Sequence, residues 1–150
     1  MMGIVYSQIK DFIRKYPGGI YWFRLKKHSA IIETHLNPDE TVIFAFAGQK
    51  NNSLFDVFST TAVALTNKRI LFGQKRLLWG YALTAITPDM FNDMQVYEGV
   101  LWGKVVIDSI KEEVVISKLA KKSLPEVETA ISSYMMEEKK KYNTRIIKEQ

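Results

Sequence analysis

Between Thr41 and Ser117 the chain divides into about seven short apolar runs, each of ordinary strand length and with no helical period between one and the next. The clearest pair lies in Thr61 to Lys75, TAVALTNKRILFGQK. It runs apolar, makes a tight polar turn at Thr66-Asn67-Lys68, and runs apolar again through Ile70, Leu71 and Phe72. That pattern is a β-hairpin. The segments TVIFAFAGQ and VFSTTAVALT flank a polar loop at Lys50-Asn51-Asn52-Ser53 and are rich in β-branched and aromatic residues. LLWGYALTAI, NDMQVYE, GKVVID and EEVVIS follow, separated by turn chemistry at Pro88-Asp89, Glu98-Gly99 and Asp108-Ser109. So many consecutive antiparallel segments cover their edges most economically as a closed or nearly closed barrel, or as a sandwich.

Helical periods flank this block. Val5, Ile9, Phe12, Ile13 and Tyr16 recur at spacings of three and four until Pro17-Gly18-Gly19 interrupts them. Trp22, Leu25, Ile32 and Leu36 form a second stripe, which ends before Asn37-Pro38-Asp39-Glu40. At the other end, Ser123-Leu124-Pro125-Glu126 has the spacing of a capping box, with Val127, Ala130, Ile131, Tyr134 and Met135 as an apolar stripe that closes one end of the barrel. The expected fold class is α+β. Residues 1–36 form an N-terminal helical segment, 37–136 the barrel with its closing helix, and 137–150 a charged helical extension whose last residues fray.

Composition sets outer bounds on function. The chain has no cysteine, which excludes disulfides and thiolate metal sites and fits a reducing compartment, so the expected location is cytoplasmic. The N-terminus places its charges after a short apolar patch, the reverse of a secretory signal, and no apolar run approaches the ~18 residues of a membrane span. The net charge of +5 sits in the flanks: residues 1–35 carry six basic residues against Asp11 and Glu33, while residues 36–118 carry eight basic against nine acidic. A basic N-terminal segment is attracted to anionic surfaces, whether lipid, nucleic acid or acidic protein.

Several residues make the match to a known family more specific. Leu36-Asn37-Pro38-Asp39-Glu40, Thr66-Asn67-Lys68-Arg69 with Ile70-Leu71-Phe72 after it, Ile86-Thr87-Pro88, and Gly99-Val100-Leu101-Trp102-Gly103 resemble the bacterial pleckstrin-homology (PH) domains of the YokE-like kind. The resemblance covers about residues 36 to 135 and leaves the N-terminal helices outside it. It implies a PH-like antiparallel β-barrel of about seven strands capped by a C-terminal helix, no known catalysis, homo-oligomers in some members and no established lipid ligand. Eukaryotic phosphoinositide-binding domains of this fold place several Lys or Arg in the first strand–strand loop, where they pair with phosphates. Here that loop offers only Lys50 among Gln49, Asn51, Asn52 and Ser53.

The candidate contact residues each carry two readings. Trp22, Phe23, Arg24, Lys26 and Lys27 suit a helix lying on an anionic membrane surface, or an aromatic stripe packed on the barrel or a partner. Leu101 and Trp102 are either an exposed interface or a flap over the barrel mouth. Lys50, Lys68 and Arg69 are candidate anion contacts, against turn chemistry for Lys68 and a carbonyl or acidic partner for Arg69. His28 and His35 stand two helical turns apart and cannot share a metal as an i, i+4 pair can. Asp89, Asp93 and Glu98 read as structural caps. No phosphate loop, nucleophile elbow or thiol nucleophile is present, so no catalytic residue, metal or cofactor is expected. The expected function is a non-catalytic interaction module that self-associates or binds another protein. The alternative is peripheral membrane association through the basic, aromatic N-terminal helices. No nucleic acid is expected as a partner, and no small-molecule substrate is evident.

Overall fold

The computed structural model of the chain describes residues 3–19, 24–50, 59–76 and 78–149. Helices α1 (Ile4–Lys15) and α2 (Leu25–His35) precede seven strands: β1 (Val42–Lys50), β2 (Thr60–Thr66), β3 (Ile70–Lys75), β4 (Tyr81–Ile86), β5 (Phe91–Glu98), β6 (Gly103–Ser109) and β7 (Glu113–Leu119). Helix α3 (Leu124–Glu149) ends the chain. All neighbours are antiparallel in the order β4-β3-β2-β1-β7-β6-β5. The sheet therefore curls into a half-barrel whose two edges are β4 and β5. The buried stripe of α3, Val127, Ile131 and Met135, lies against the inner side of β5 and β6.

Cross-strand pairing sorts β1, β2 and β3 into two faces, because paired residues share a side. Phe44, Phe46, Val63, Leu65, Ile70 and Phe72 lie on one face, and Ala45, Ala47, Ala62, Ala64, Leu71 and Gly73 on the other. The large side chains fill the inside of the half-barrel. There Gly48 passes so close to β7 that an added Cβ would stand 2.5 Å from Ile116. The small residues form the outer face and let α2 approach closely, and a Cβ on Gly73 would meet Ile32 at 2.7 Å. Helix α1 covers the N-terminal stretch of β1, which β7 does not pair: among the described residues the β1–β7 ladder consists of Gln49–Ser117 and Lys50–Ile116. Gln8 Nε2 donates to the Val42 carbonyl at 3.3 Å, and the Phe12 ring sits 5.9 Å from Phe44 and 5.8 Å from Phe46.

The N-terminal helices thus belong to the core. Val5, Ile9 and Ile32 are fully buried against the sheet, each contributing ~1.5–3 kcal/mol of apolar burial. Glu33 of α2 also accepts the Tyr6 amide at 3.0 Å, placing a carboxylate at the positive end of α1.

The structure corrects four expectations. The fourth strand begins at Tyr81, because Gly80 turns the chain at φ 78 and leaves Leu78 and Trp79 in the β3–β4 turn. Ser123 caps nothing: it lies in a short 3₁₀ turn (Lys121–Ser123), and its hydroxyl donates to the Ala120 carbonyl at 2.6 Å. Glu126 reaches across to α1, where it pairs with Lys15 Nζ at 3.2 Å and accepts a short hydrogen bond from the Tyr16 hydroxyl. The tail is helical as far as Glu149, supported near Lys139, whose ammonium donates to the Phe91 carbonyl at 2.8 Å.

Candidate functional site

The first of three clusters lies at the Thr66–Arg69 turn. Arg69 grips Glu40 with two prongs, Nε to Oε2 and Nη2 to Oε1, both 3.0 Å, and Nη2 also donates to the His35 carbonyl at 3.0 Å. Thr66 Oγ1 donates to Glu40 at 2.6 Å, and the Asn37 amide donates to it at 3.1 Å. Asn67 accepts the Thr41 amide at 2.9 Å and donates to the Asp39 carbonyl. Lys68 pairs with Asp39 at 2.6 Å. Two of the sequence stretches that resemble PH domains, Leu36–Glu40 and Thr66–Arg69, are therefore the halves of one clasp. Burial raises the Glu40 carboxyl. The hydrogen bonds from Arg69, Thr66 and Asn37, with the guanidinium's attraction, outweigh that and bring its pKa down to about 2.

The expected anion set of Lys50, Lys68 and Arg69 is not assembled. Lys68 and Arg69 are committed to carboxylates in the clasp, while Lys50 ends β1 at its far end from Val42, the residue that pairs with Thr66. Eight strand steps of ~3.3 Å separate those two ends.

The second cluster forms at the opposite end of β3, beside the start of α2. The Arg24 guanidinium donates to the Arg76 carbonyl at 3.3 Å, and the Lys75 amide donates to His28 Nδ1 at 2.8 Å, so α2 is tied to the β3–β4 turn. Lys26, Lys27 and Arg76 are exposed here. Leu78 and Trp79, counted by the sequence reading as strand, stand 78% and 77% exposed at the tip. Neither 24–32 nor 74–82 contains an acidic residue. Trp22 and Phe23 lie outside the described residues, as does the 51–53 part of the first strand–strand loop.

The third cluster surrounds the β5–β6 turn, closed by a Gly99 N–H to Trp102 carbonyl bond of 2.9 Å. Its two predicted residues part company. Trp102 is half-buried with its indole N–H on the Gly18 carbonyl at 2.8 Å, whereas Leu101 stands exposed beside Val100, which the sequence reading did not single out. A depression of about 390 Å³ on the outer face runs along Tyr97, Trp102, Lys104, Ser117 and Lys118.

Among the described residues no group of three His, Asp or Glu is placed to hold a metal, and no helix is long and apolar enough to cross a membrane. His28 is buried against β3, and His35 reaches the Ile31 carbonyl and the Tyr81 hydroxyl. Asp89 accepts from Thr87 within its own turn at 2.5 Å.

A curled seven-stranded antiparallel sheet with a C-terminal helix packed into it defines a PH-like domain. The family model described as bacterial PH domain matches residues 36–133, and the chain belongs to that family. Among solved structures it is similar to a pleckstrin homology domain from Shewanella amazonensis SB2B, with TM-score 0.51 and 14% identity over 77% of this chain and 90% of that one. At that identity the likeness is one of fold. Among curated proteins none matches the chain significantly. PH domains in general are non-catalytic modules that mediate protein or lipid interactions.

Proposed function

We propose that this domain is a non-catalytic docking module that lies on an anionic membrane surface with the end formed by the β3–β4 turn and the start of α2. One observation carries the reading: Leu78 and Trp79 are almost fully exposed at a turn flanked by Arg24, Lys26, Lys27, Lys75 and Arg76, with no carboxylate in either contributing segment. An indole and an aliphatic side chain at the headgroup boundary bury apolar area, and cations near an anionic leaflet contribute ~1 kcal/mol each. The contact thus moves from the helical faces, whose described apolar residues Val5, Ile9, Phe12, Leu25 and Ile32 are buried, to a turn beside them.

Sedimentation with phosphatidylcholine vesicles, with and without phosphatidylserine, tests this. The wild type should pellet only with the anionic vesicles and be released by salt. Leu78→Ser/Trp79→Ser and Lys26→Gln/Lys27→Gln should each bind about tenfold more weakly, as the loss of one or two such contacts requires. Negligible binding by the wild type sinks the reading.

A second reading, self-association or binding of another protein, is favoured by the β5–β6 turn. Val100 and Leu101 are 90% and 69% exposed on a hydrogen-bonded frame held by Trp102, and rigid apolar side chains at a fixed turn suit a protein contact. A strictly monomeric mass by light scattering at high concentration removes its self-association arm.

A further inference from the structure

Three acidic residues stand in one row on the outer face of β5, β6 and β7. Asp93 pairs with Asp108 and Asp108 with Glu113, so the carboxylates of three adjacent strands share a side. All three are exposed, and among the described residues none of them forms an ion pair. Asp93 accepts the Met94 amide at 2.7 Å, a neutral donor. Of the cations on adjoining elements, Lys111 is exposed on the β6–β7 turn and Lys139 gives its ammonium to the Phe91 carbonyl. Like charges directly opposite one another destabilise a sheet. The row borders the β6–β7 turn, where Ser109 Oγ accepts the Glu112 amide at 3.0 Å and donates to the Glu112 carbonyl at 2.7 Å. On that fixed turn Ile110 stands 70% exposed, an apolar knob flanked by carboxylates.

The opposite end of β6 carries the converse chemistry, six strand steps of ~3.3 Å away between Ser109 and Gly103. There β7 ends in a bulge, with Lys118 at φ 62 between the pairs Val105–Ile116 and Gly103–Leu119, and the chain turns through Ala120 to Lys121 and Lys122. These two lysines, the end of α1 and the exposed Val100 and Leu101 of the β5–β6 turn line a groove of about 440 Å³. None of its lining residues is acidic. Lys15 at its rim is engaged by Glu126, whereas Lys121 and Lys122 have no partner among the described residues.

We propose that the Asp108–Glu113 end of one copy docks into the Lys121–Lys122 groove of a second copy, with Ile110 against Val100 and Leu101 and the acidic row towards the two lysines. Complementary charge fixes the register of such a contact, and the apolar side chains supply the buried area. The two surfaces lie at opposite ends of one strand and cannot meet within a molecule, so the contact is head-to-tail and builds a ring or a filament. The inference rests on the self-association reading and names its contact; the membrane reading does not depend on it.

Sedimentation velocity of the full chain over a range of concentrations tests it, with circular dichroism confirming that each variant is folded. The wild type should associate, and less so at high salt. Asp108→Lys/Glu113→Lys and Lys121→Glu/Lys122→Glu should each weaken association at least about tenfold. Mixing the two variants should restore it, because a head-to-tail assembly that alternates them makes every contact complementary again. Asp108→Asn relieves the row of like charges, so it should raise the Tm of the dilute chain while weakening association. A residue with a merely structural role would not separate the two readouts in that direction. A monomeric wild type at high concentration removes the self-association reading together with this contact. Association that persists in both reversed variants, or that does not return on mixing, or an Asp108→Asn chain that associates like the wild type, overturns this contact alone.

Discussion

Replacing Glu40 with Gln isolates the charge in the clasp. The Glu40 side chain is fully buried and that of Arg69 only 21% exposed, so the pair is screened far less than a surface ion pair. A carboxyl that titrates at 4.5 in the unfolded chain and about 2 in the fold stabilises the folded state by about 3 kcal/mol at neutral pH, at ~1.4 kcal/mol per pH unit. Removing one partner of a buried pair costs ~3–5 kcal/mol. Glutamine retains the shape and part of the hydrogen bonding, so the lower end of that range applies, and the two estimates agree. Because the folded pKa is depressed, this stabilisation is complete above the unfolded value and disappears as pH falls through 4.5 towards 2. Urea unfolding followed by circular dichroism should therefore place Glu40→Gln about 3 kcal/mol below the wild type at pH 7, with the gap narrowing to about 1 kcal/mol at pH 3. Adding Arg69→Met should cost less than the sum of the single substitutions, by at least ~1 kcal/mol. A gap that stays constant from pH 7 to pH 3 would refute the reasoning, because it would trace the cost to packing rather than to charge.

Two further substitutions examine the faces of the sheet. Phe72, on the inner face opposite Val63 and almost fully buried, should cost ~3–5 kcal/mol when changed to Ala. A loss under ~1 kcal/mol in the same urea experiment would mean that the inward face is reversed. Gly73→Ala places a Cβ 2.7 Å from Ile32 Cγ1 and 3.1 Å from the His28 carbonyl. It should cost ~1–3 kcal/mol through overpacking, with the α2 amides losing hydrogen-exchange protection before those of β2. Unchanged α2 protection would show that the helix does not need that close approach.

Much of this architecture is legible in the sequence, because strand and helix periods are local. The seven strands, the hairpin at Thr66–Arg69 and the buried stripes of α1 and α3 all follow from spacing. What is missed depends on distant partners. Ser123-Leu124-Pro125-Glu126 has the spacing of a capping box, but Glu126 is claimed by Lys15 and Tyr16 of α1, which no local pattern reveals. The turn at Leu78–Trp79 lies inside a run, LLWGYALTAI, whose apolar content reads as one strand, and Gly80 at φ 78 is the local mark of the break. The packing of α1 and α2 on the sheet did leave a trace. Phe-Ala-Phe-Ala in β1 and Thr-Thr-Ala-Val-Ala-Leu-Thr in β2 alternate large with small rather than apolar with charged residues. A strand that never turns a charged side outward is covered on both faces. The bulge at Lys118 leaves no such trace, since lysine is not a residue that marks left-handed backbone.

The placement of these features separates what identifies the fold from what contacts a partner. Leu36–Glu40 and Thr66–Arg69 spend their polar groups on one another, so the two stretches stabilise one end of the half-barrel and leave little there for a ligand. Exposed cations beside exposed apolar side chains stand at the other end of β3, where Lys26, Lys27 and Arg76 surround Leu78 and Trp79, and further exposed apolar side chains, Val100 and Leu101, stand at the β5–β6 turn. Five strand steps of ~3.3 Å lie between Ile70 and Lys75, well beyond a Debye length at physiological salt. Neutralising Glu40 should therefore lower stability without weakening vesicle binding, and removing Leu78 and Trp79 should weaken binding without lowering stability. The two ends answer to different residues, and for that reason the sequence could identify the PH fold while leaving its partner open.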